Sequence, residues 1–273
     1  MSNVSSNGPV IAPEPSVSKK AKKVISNLPH PVVAGALVIA VFLISQIVAS
    51  GLVGMLAHLT GGTNGSDEIT LFGSPILLQF AFILVAESMV LAFLAWYLRR
   101  RKVTWKSLGF GRPKWSDVGW AVLAFFVYIA AYIILLQAVE AFVPGFNADQ
   151  KQATGFDGAA GLVPLSLVFV ALVVLAPVTE ETLLRGFFLG SLRRRFRFLA
   201  AALVTSAVFA ALHLGGGEPG DGLLWVAAVD TFVLSLVLCY LREKTGRLWA
   251  SILLHATKNF IAFLALFIFA SGG

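Results

Sequence analysis

The sequence predicts an all-α polytopic membrane bundle of about seven transmembrane helices, and three observations carry that expectation. Hydrophobic residues make up 58% of the 273 positions and charged residues only 13%, against roughly 25% charged in soluble proteins. The apolar residues fall into seven runs, about 32–58, 75–98, 117–143, 163–190, 198–214, 222–241 and 248–270. All but the short fifth run approach the about 20 residues that a helix needs to cross a bilayer. The runs are continuous and do not alternate polar with apolar positions, as barrel strands would.

Residues 1–29 are polar and rich in Pro, Ser and Asn, which predicts a disordered cytoplasmic tail before a transmembrane domain over 30–273. The first apolar run is too long for the core of a signal peptide. Lys19, Lys20, Lys22 and Lys23 precede it, a topology signal that also suits anionic head groups. Between the runs, basic residues alternate. Segment 59–74 has none; 99–116 has Arg99, Arg100, Arg101, Lys102, Lys106, Arg112 and Lys114. Segment 144–162 has only Lys151, 191–197 has Arg193, Arg194, Arg195 and Arg197, 215–221 has none, and 242–247 has Arg242, Lys244 and Arg247. The positive-inside rule then puts the N-terminus in the cytoplasm and, after seven crossings, the C-terminus outside, in what reads as a bacterial cell membrane. Segment 103–114 mixes apolar and basic residues and is expected to lie on the cytoplasmic surface. The net charge of +7 is thereby spent on topology, and no nucleic-acid partner is implied. The single cysteine, Cys239, excludes an intrachain disulfide and a cysteine-cluster metal site.

Ionisable groups inside spans are expensive and therefore informative. Most fall in the last four runs: Glu180, Glu181, Arg185, His213, Asp230, His255 and Lys258, with Asn259 as a neutral companion. Glu181 and Arg185 stand four apart with the carboxylate first, so they share a face and can neutralise each other. Glu180 is turned about 100° from Glu181 and is left to face a cavity. Pro177, three residues earlier, removes a backbone donor and can kink the helix or break it so that it restarts at a Thr179 cap. Phe209 and His213 share one face, as do His255 and Asn259. Asp230 is expected to pair with Lys258 or support the site from behind, and Glu87 to pack against polar groups.

A carboxylate and two imidazoles meeting in a bundle core can serve a hydrolase in two ways. Glu180, His213 and His255 can hold Zn2+ or another divalent ion with a bound water. Without a metal, Glu180 can act as general base while His and Asn donate hydrogen bonds to the developing oxyanion. A transporter or proton path through Glu180, Arg185 and the two histidines, and a haem held by His213 and His255, are the other chemistries open to these residues. Gly-x-Ser-x-Gly and His-Glu-x-x-His are absent from the sequence.

Glu180-Glu181-x-x-x-Arg185, Phe209-x-x-x-His213 and His255-x-x-x-Asn259 resemble the three motifs of the CPBP family, the CAAX-protease and bacteriocin-processing or Abi family of intramembrane proteases. The resemblance covers about 160–262. It implies an intramembrane endopeptidase, metallo- or glutamate-type, with its site in a cavity open to the cytoplasm and a membrane-associated peptide or protein as substrate. Glu180 would activate water among His213, His255 and Asn259, with Glu181 and Arg185 in support. Bacterial members of the family are also linked to immunity and regulation, so a non-enzymatic membrane partner that kept the fold is the alternative. Ser235 and Cys239 stand where relatives carry glycine, and both are small enough for close packing. Straight helices would spread the site over too great a depth. His255 lies about 12 Å in from Arg247 and His213 about 24 Å in from Arg197. A tilted helix, a dipping Arg193–Arg197 segment or a re-entrant Leu214–Gly222 is therefore expected.

Overall fold

The computed structural model describes residues 27–60, 69–215 and 222–269. Among the described residues eight helices follow one another, and there is no strand longer than an isolated bridge between Leu71 and Ser74. They are α1 (Pro31–Leu59), α2 (Pro75–Arg101), the short α3 (Trp105–Leu108), α4 (Trp115–Phe142), α5 (Leu162–Leu192), α6 (Phe198–Leu212), α7 (Trp225–Thr245) and α8 (Trp249–Phe269). Local chemistry sets many of the ends. Proline opens α1 and α2, where its missing N–H costs no helical bond, and Ser74 Oγ accepts from Leu77 N at the start of α2. Asp117 Oδ2 accepts from Lys114 N at the start of α4. Gly246 ends α7 at φ 66°, a left-handed conformation that glycine adopts without penalty.

Six of the eight helices are long and apolar enough to cross a membrane. Their outer faces carry large bare side chains such as Ile47, Phe126 and Ile134, which is the surface a lipid solvent asks for. The chain is a polytopic helical bundle. The fifth apolar run forms the 15-residue α6, which at 1.5 Å per residue is about 22 Å long and falls short of a hydrocarbon core of about 30 Å. The tail before Asn27, with Lys19, Lys20, Lys22 and Lys23, lies outside the described residues. At its end Leu28 is buried in the core, and the Arg194 guanidinium donates to the Leu28 carbonyl.

α7 is the central element, packed against α4, α6 and α8, while α1 pairs with α2. The ends of helices that carry Arg and Lys gather at one end of the bundle. There Arg247 Nη2 meets Asp117 Oδ1 at 2.6 Å, and Arg193 Nη2 meets Glu243 Oε1 at 2.7 Å. Segment 103–114 lies across this end, as its mixed composition predicts. Leu108 is fully buried, Leu248 N donates to Gly109 O, Trp249 Nε1 donates to Gly111 O, and Phe110 packs edge-on against Trp249. Gly186 of α5 comes so close beneath it that a Cβ would stand 3.4 Å from Leu108 O.

The opposite end is covered by the segment between α4 and α5. Phe156 is its fully buried anchor, packed with Ala159, Val168, Ala171 and Phe263. Gln79 Nε2 donates to Thr154 O, and Gln150 Nε2 donates to Leu223 O.

Candidate active site

The helix that carries the carboxylates is irregular for a traceable reason. α5 does not break at Pro177 or restart at Thr179; it runs on through two wide π-helical turns, Val170–Leu175 and Glu181–Phe188. Their register shows in Ala176 N–H donating to Ala171 O, and Leu189 N–H to Leu184 O, each five residues back. In the first of these registers the next donor would be the nitrogen of Pro177, which carries no hydrogen. The Leu172 carbonyl that it would have served accepts instead from Asn259 Nδ2 of α8 at 2.8 Å. Proline thus widens α5, and an amide from the neighbouring helix satisfies the exposed acceptor. Such turns inside α-helices are frequent at functional sites.

The second wide turn holds the charges. Glu181 and Arg185 are fully buried, with Arg185 Nη1 donating to Glu181 Oε1 at 2.9 Å. The ring of Phe209 lies 4.7 Å from the guanidinium carbon and receives its face. Glu181 Oε1 has a second partner, His255 Nδ1 at 3.1 Å. A carboxylate can only accept, so Nδ1 of His255 carries the hydrogen and Nε2 is left with a lone pair. That lone pair stands 3.8 Å from Glu180 Oε2.

His213 caps the C-terminus of α6, and its Nδ1 lies 2.8 Å from Phe209 O. A carbonyl likewise only accepts, so Nδ1 is the protonated nitrogen and Nε2 is free for the cavity. The Phe209 ring contacts both histidines, with centroids 4.5 Å from His213 and 6.0 Å from His255. Both imidazoles reach the Phe209 ring although they lie about 24 Å and about 12 Å in from their basic anchors, so straight helices spanning one common depth do not describe the site. Of the segment Leu214–Gly222, residues 216–221 lie outside the described residues.

Glu180, His213, His255 and Asn259 all line one cavity of about 750 Å³. Glu181 and Arg185 stand behind it. Lys258, expected to pair with Asp230, also lines the wall, together with polar residues that the sequence did not single out, among them Thr231, Gln79 and Gln152. Lys258 Nζ pairs with Asp230 Oδ2 at 2.9 Å, as expected, and the Tyr128 hydroxyl also donates to Asp230. Glu87 of α2 stands beside Thr179, the neighbour of Glu180. Ser235 and Cys239 are fully buried, as small residues at a close helix contact should be.

Among the described residues, no group of three or more His, Cys, Asp or Glu side chains is gathered closely enough to hold a metal ion. As placed, Glu180, His213 and His255 therefore do not fit a divalent ion as a set, and no step below is routed through one. What the arrangement offers directly is a pair of acceptors, Glu180 Oε2 and His255 Nε2, 3.8 Å apart. One water donating both its hydrogens spans acceptors ~4.4 Å apart when each O···acceptor distance is about 2.8 Å. A small widening of the pair seats a water with both hydrogens held and its lone pairs turned into the cavity.

Comparison with known proteins finds similarity over the same region. Residues 162–261 match the family described as type II CAAX prenyl endopeptidase Rce1-like. The "Putative membrane peptidase YdiL" of Bacillus subtilis is 26% identical over 140 residues, 51% of this chain and 52% of that protein. An "Uncharacterized 24.3 kDa protein" of Escherichia coli is 28% identical over 160 residues, 56% of this chain and 66% of its own length. The "UPF0177 protein YxdF" of Lactococcus lactis is 24% identical over 173 residues, 63% of this chain and 87% of its own length. The match thus spans about half the length of the first relative and just under two thirds of the second. No solved structure gives a significant match.

Proposed function

We propose that the chain is an intramembrane endopeptidase that hydrolyses a peptide bond of a membrane-associated peptide or protein, using water activated by Glu180; the match of residues 162–261 to the Rce1-like type II CAAX prenyl endopeptidase family supports this reading. The observation that carries this reading is the Glu180 Oε2–His255 Nε2 pair on the cavity wall, with His255 fixed from behind by Glu181.

Glu180 takes one proton from the water as its oxygen bonds to the peptide carbonyl carbon. His255 Nε2 holds the other hydrogen and fixes the direction of attack. Asn259 Nδ2 has two hydrogens; one serves Leu172 O, and the second remains for the carbonyl oxygen as it gains charge. The C–N bond then breaks, and the proton on Glu180 passes to the departing nitrogen. His213, with its tautomer set by Phe209 O, can take up and return a proton through Nε2. Burying Glu181 and Arg185 as a pair holds His255 in register without adding net charge to the membrane.

The test compares membranes of wild-type and Glu180→Gln cells by mass spectrometry for peptides that accumulate or disappear. The purified protein in proteoliposomes is then given the candidate substrate. Loss of cleavage in Glu180→Gln with unchanged insertion supports the reading, and intact cleavage overturns the role of Glu180. Identical peptide profiles would favour a non-enzymatic partner instead. Activity lost to a chelator and restored by Zn2+ would assign the water to a metal ion.

A further inference from the structure

We propose that the buried Glu181–Arg185 pair holds a structural water inside the bundle, behind the cavity wall and distinct from the water at Glu180. Four polar atoms carry this: Arg185 Nε and Nη2, Glu181 Oε2 and Ser235 Oγ. The site stands whether or not the chain cleaves peptides.

Glu181, Arg185 and Ser235 are fully buried. The ion pair is made through one nitrogen and one oxygen, Arg185 Nη1 to Glu181 Oε1 at 2.9 Å, although a guanidinium and a carboxylate can each offer two. The same Oε1 serves His255 Nδ1. Among the described residues, Glu181 Oε2, Arg185 Nε and Nη2, and Ser235 Oγ have no hydrogen-bond partner. Cys239 Sγ stands beside both the Arg185 guanidinium and Ser235, which lies one turn before it on the same face of α7. Sulfur is a weak acceptor and a poor substitute for oxygen. The Phe209 ring covers the face of the guanidinium and leaves the N–H groups on its edge unserved. Leu184, Phe187 and Phe209 belong to the same buried cluster as Cys239, which keeps lipid and bulk water out. A buried donor or acceptor without a partner is costly, most of all on a charged group.

The chemistry of the four atoms selects the ligand. Nε–H and the adjacent Nη2–H point the same way from one edge of the planar guanidinium. Oε2 only accepts, and the Ser235 hydroxyl accepts or donates. A water oxygen takes both N–H groups on its lone pairs and gives its two hydrogens to Oε2 and Ser235 Oγ. Buried waters satisfy such groups with two to four bonds each. An anion would suit the guanidinium edge but be repelled by Oε2, and a cation would suit Oε2 but meet Arg185. Either would also add net charge to a pair that is neutral at membrane depth. Bonded in this way, the water ties α5 to α7 and holds Oε2, so that Oε1 stays turned to His255.

The experiment reads the water directly and needs no substrate. The full chain in lipid nanodiscs is exposed to microsecond X-ray pulses, which turn a bound water into hydroxyl radical where it sits. Mass spectrometry then follows oxidation of Cys239, the thiol beside the site. Cys239 should be oxidised in the wild type, while a maleimide added to the native protein leaves it unreacted. Oxidation should fall several-fold in Glu181→Leu with Arg185→Met, where the site is apolar, and in Ser235→Ala, which serves alone if the double variant does not fold. Absence of oxidation in the wild type, equal oxidation in Ser235→Ala, or ready reaction with the maleimide overturns the proposal. A second measurement is water-edited solid-state NMR of the chain with isotope-labelled arginine in lipid. The Arg185 Nε signal, identified by its loss in Arg185→Lys, should receive magnetisation from water although the residue is fully buried, and no transfer to it also overturns the proposal.

Discussion

His255 Nδ1 and Arg185 Nη1 converge on a single oxygen, Oε1 of Glu181, at 3.1 and 2.9 Å. One buried carboxylate therefore does two jobs. It neutralises a guanidinium that membrane depth would otherwise exclude, and it sets the tautomer and orientation of an imidazole whose other nitrogen faces Glu180.

The two jobs separate on mutation. Glu181→Leu leaves Arg185 buried and uncompensated, and should cost ~3–5 kcal/mol of stability, read as a lower Tm in detergent or loss of inserted protein. Adding Arg185→Met removes the stranded charge and should restore most of that stability. Cleavage should stay lost in the double variant, because His255 Nδ1 still lacks its acceptor. A stable double variant with normal cleavage would show that the His255–Glu181 contact is dispensable.

The Pro177–Asn259 relationship predicts a coupling between residues on different helices. Asn259→Ala strands the Leu172 carbonyl and should cost about 1–3 kcal/mol. Pro177→Ala supplies the missing backbone N–H, so the same change should cost less in that background, with a coupling of about 1 kcal/mol in a double-mutant cycle. The cycle is read by denaturant or thermal unfolding in micelles. Strict additivity would mean that Asn259 does not stand in for the absent donor.

Much of this was legible in the sequence because it is local. The Glu181–Arg185 pair follows from a spacing of four, and the separate direction of Glu180 follows from its 100° offset. Continuous apolar runs gave the helices, and the basic segments marked one end of the bundle. Asp230 with Lys258 needed a guess across helices that the structure bears out at 2.9 Å. The bond from Asn259 to Leu172 O was beyond reach, since it depends on a wide turn that periodicity does not encode. The same holds for His255 on Glu181. Nothing in segment 144–162 announces that Phe156 is an anchor, because a lone aromatic in a loop signals burial only once its neighbours are known. The short α6 was visible as a short run, and the contact of His213 with Phe209 is local to it, but the placing of Phe209 against His255 depends on packing between helices.

Asp230 holds Lys258 on the cavity wall while accepting from Tyr128. Asp230→Asn keeps an acceptor for the hydroxyl but leaves the half-buried ammonium without its counter-charge, and should cost about 1–3 kcal/mol. Lys258→Met in the same chain should recover part of that loss, which thermal unfolding of the two variants measures. If the second change adds to the loss, the pair is not what stabilises this wall.

Two glycines in the segment between α4 and α5, which lines the cavity, separate backbone strain from contact. Gly155 and Gly158 have φ of +72° and +74°, so alanine at either should cost about 1–2 kcal/mol from the left-handed conformation alone. At Gly158 a Cβ would meet nothing within 4 Å, whereas at Gly155 it would stand 2.6 Å from Gln79 Cδ. That clash displaces the side chain that donates to Thr154 O. Gly155→Ala should therefore be the more damaging change, with faster hydrogen exchange in the 146–161 segment that Gly158→Ala does not produce. Gln79→Ala removes the obstacle, so adding Gly155→Ala to it should cost no more than Gly158→Ala costs the wild type. If Gly155→Ala remains the worse of the two in the Gln79→Ala background, the Gln79 contact is not what makes that position intolerant of a side chain.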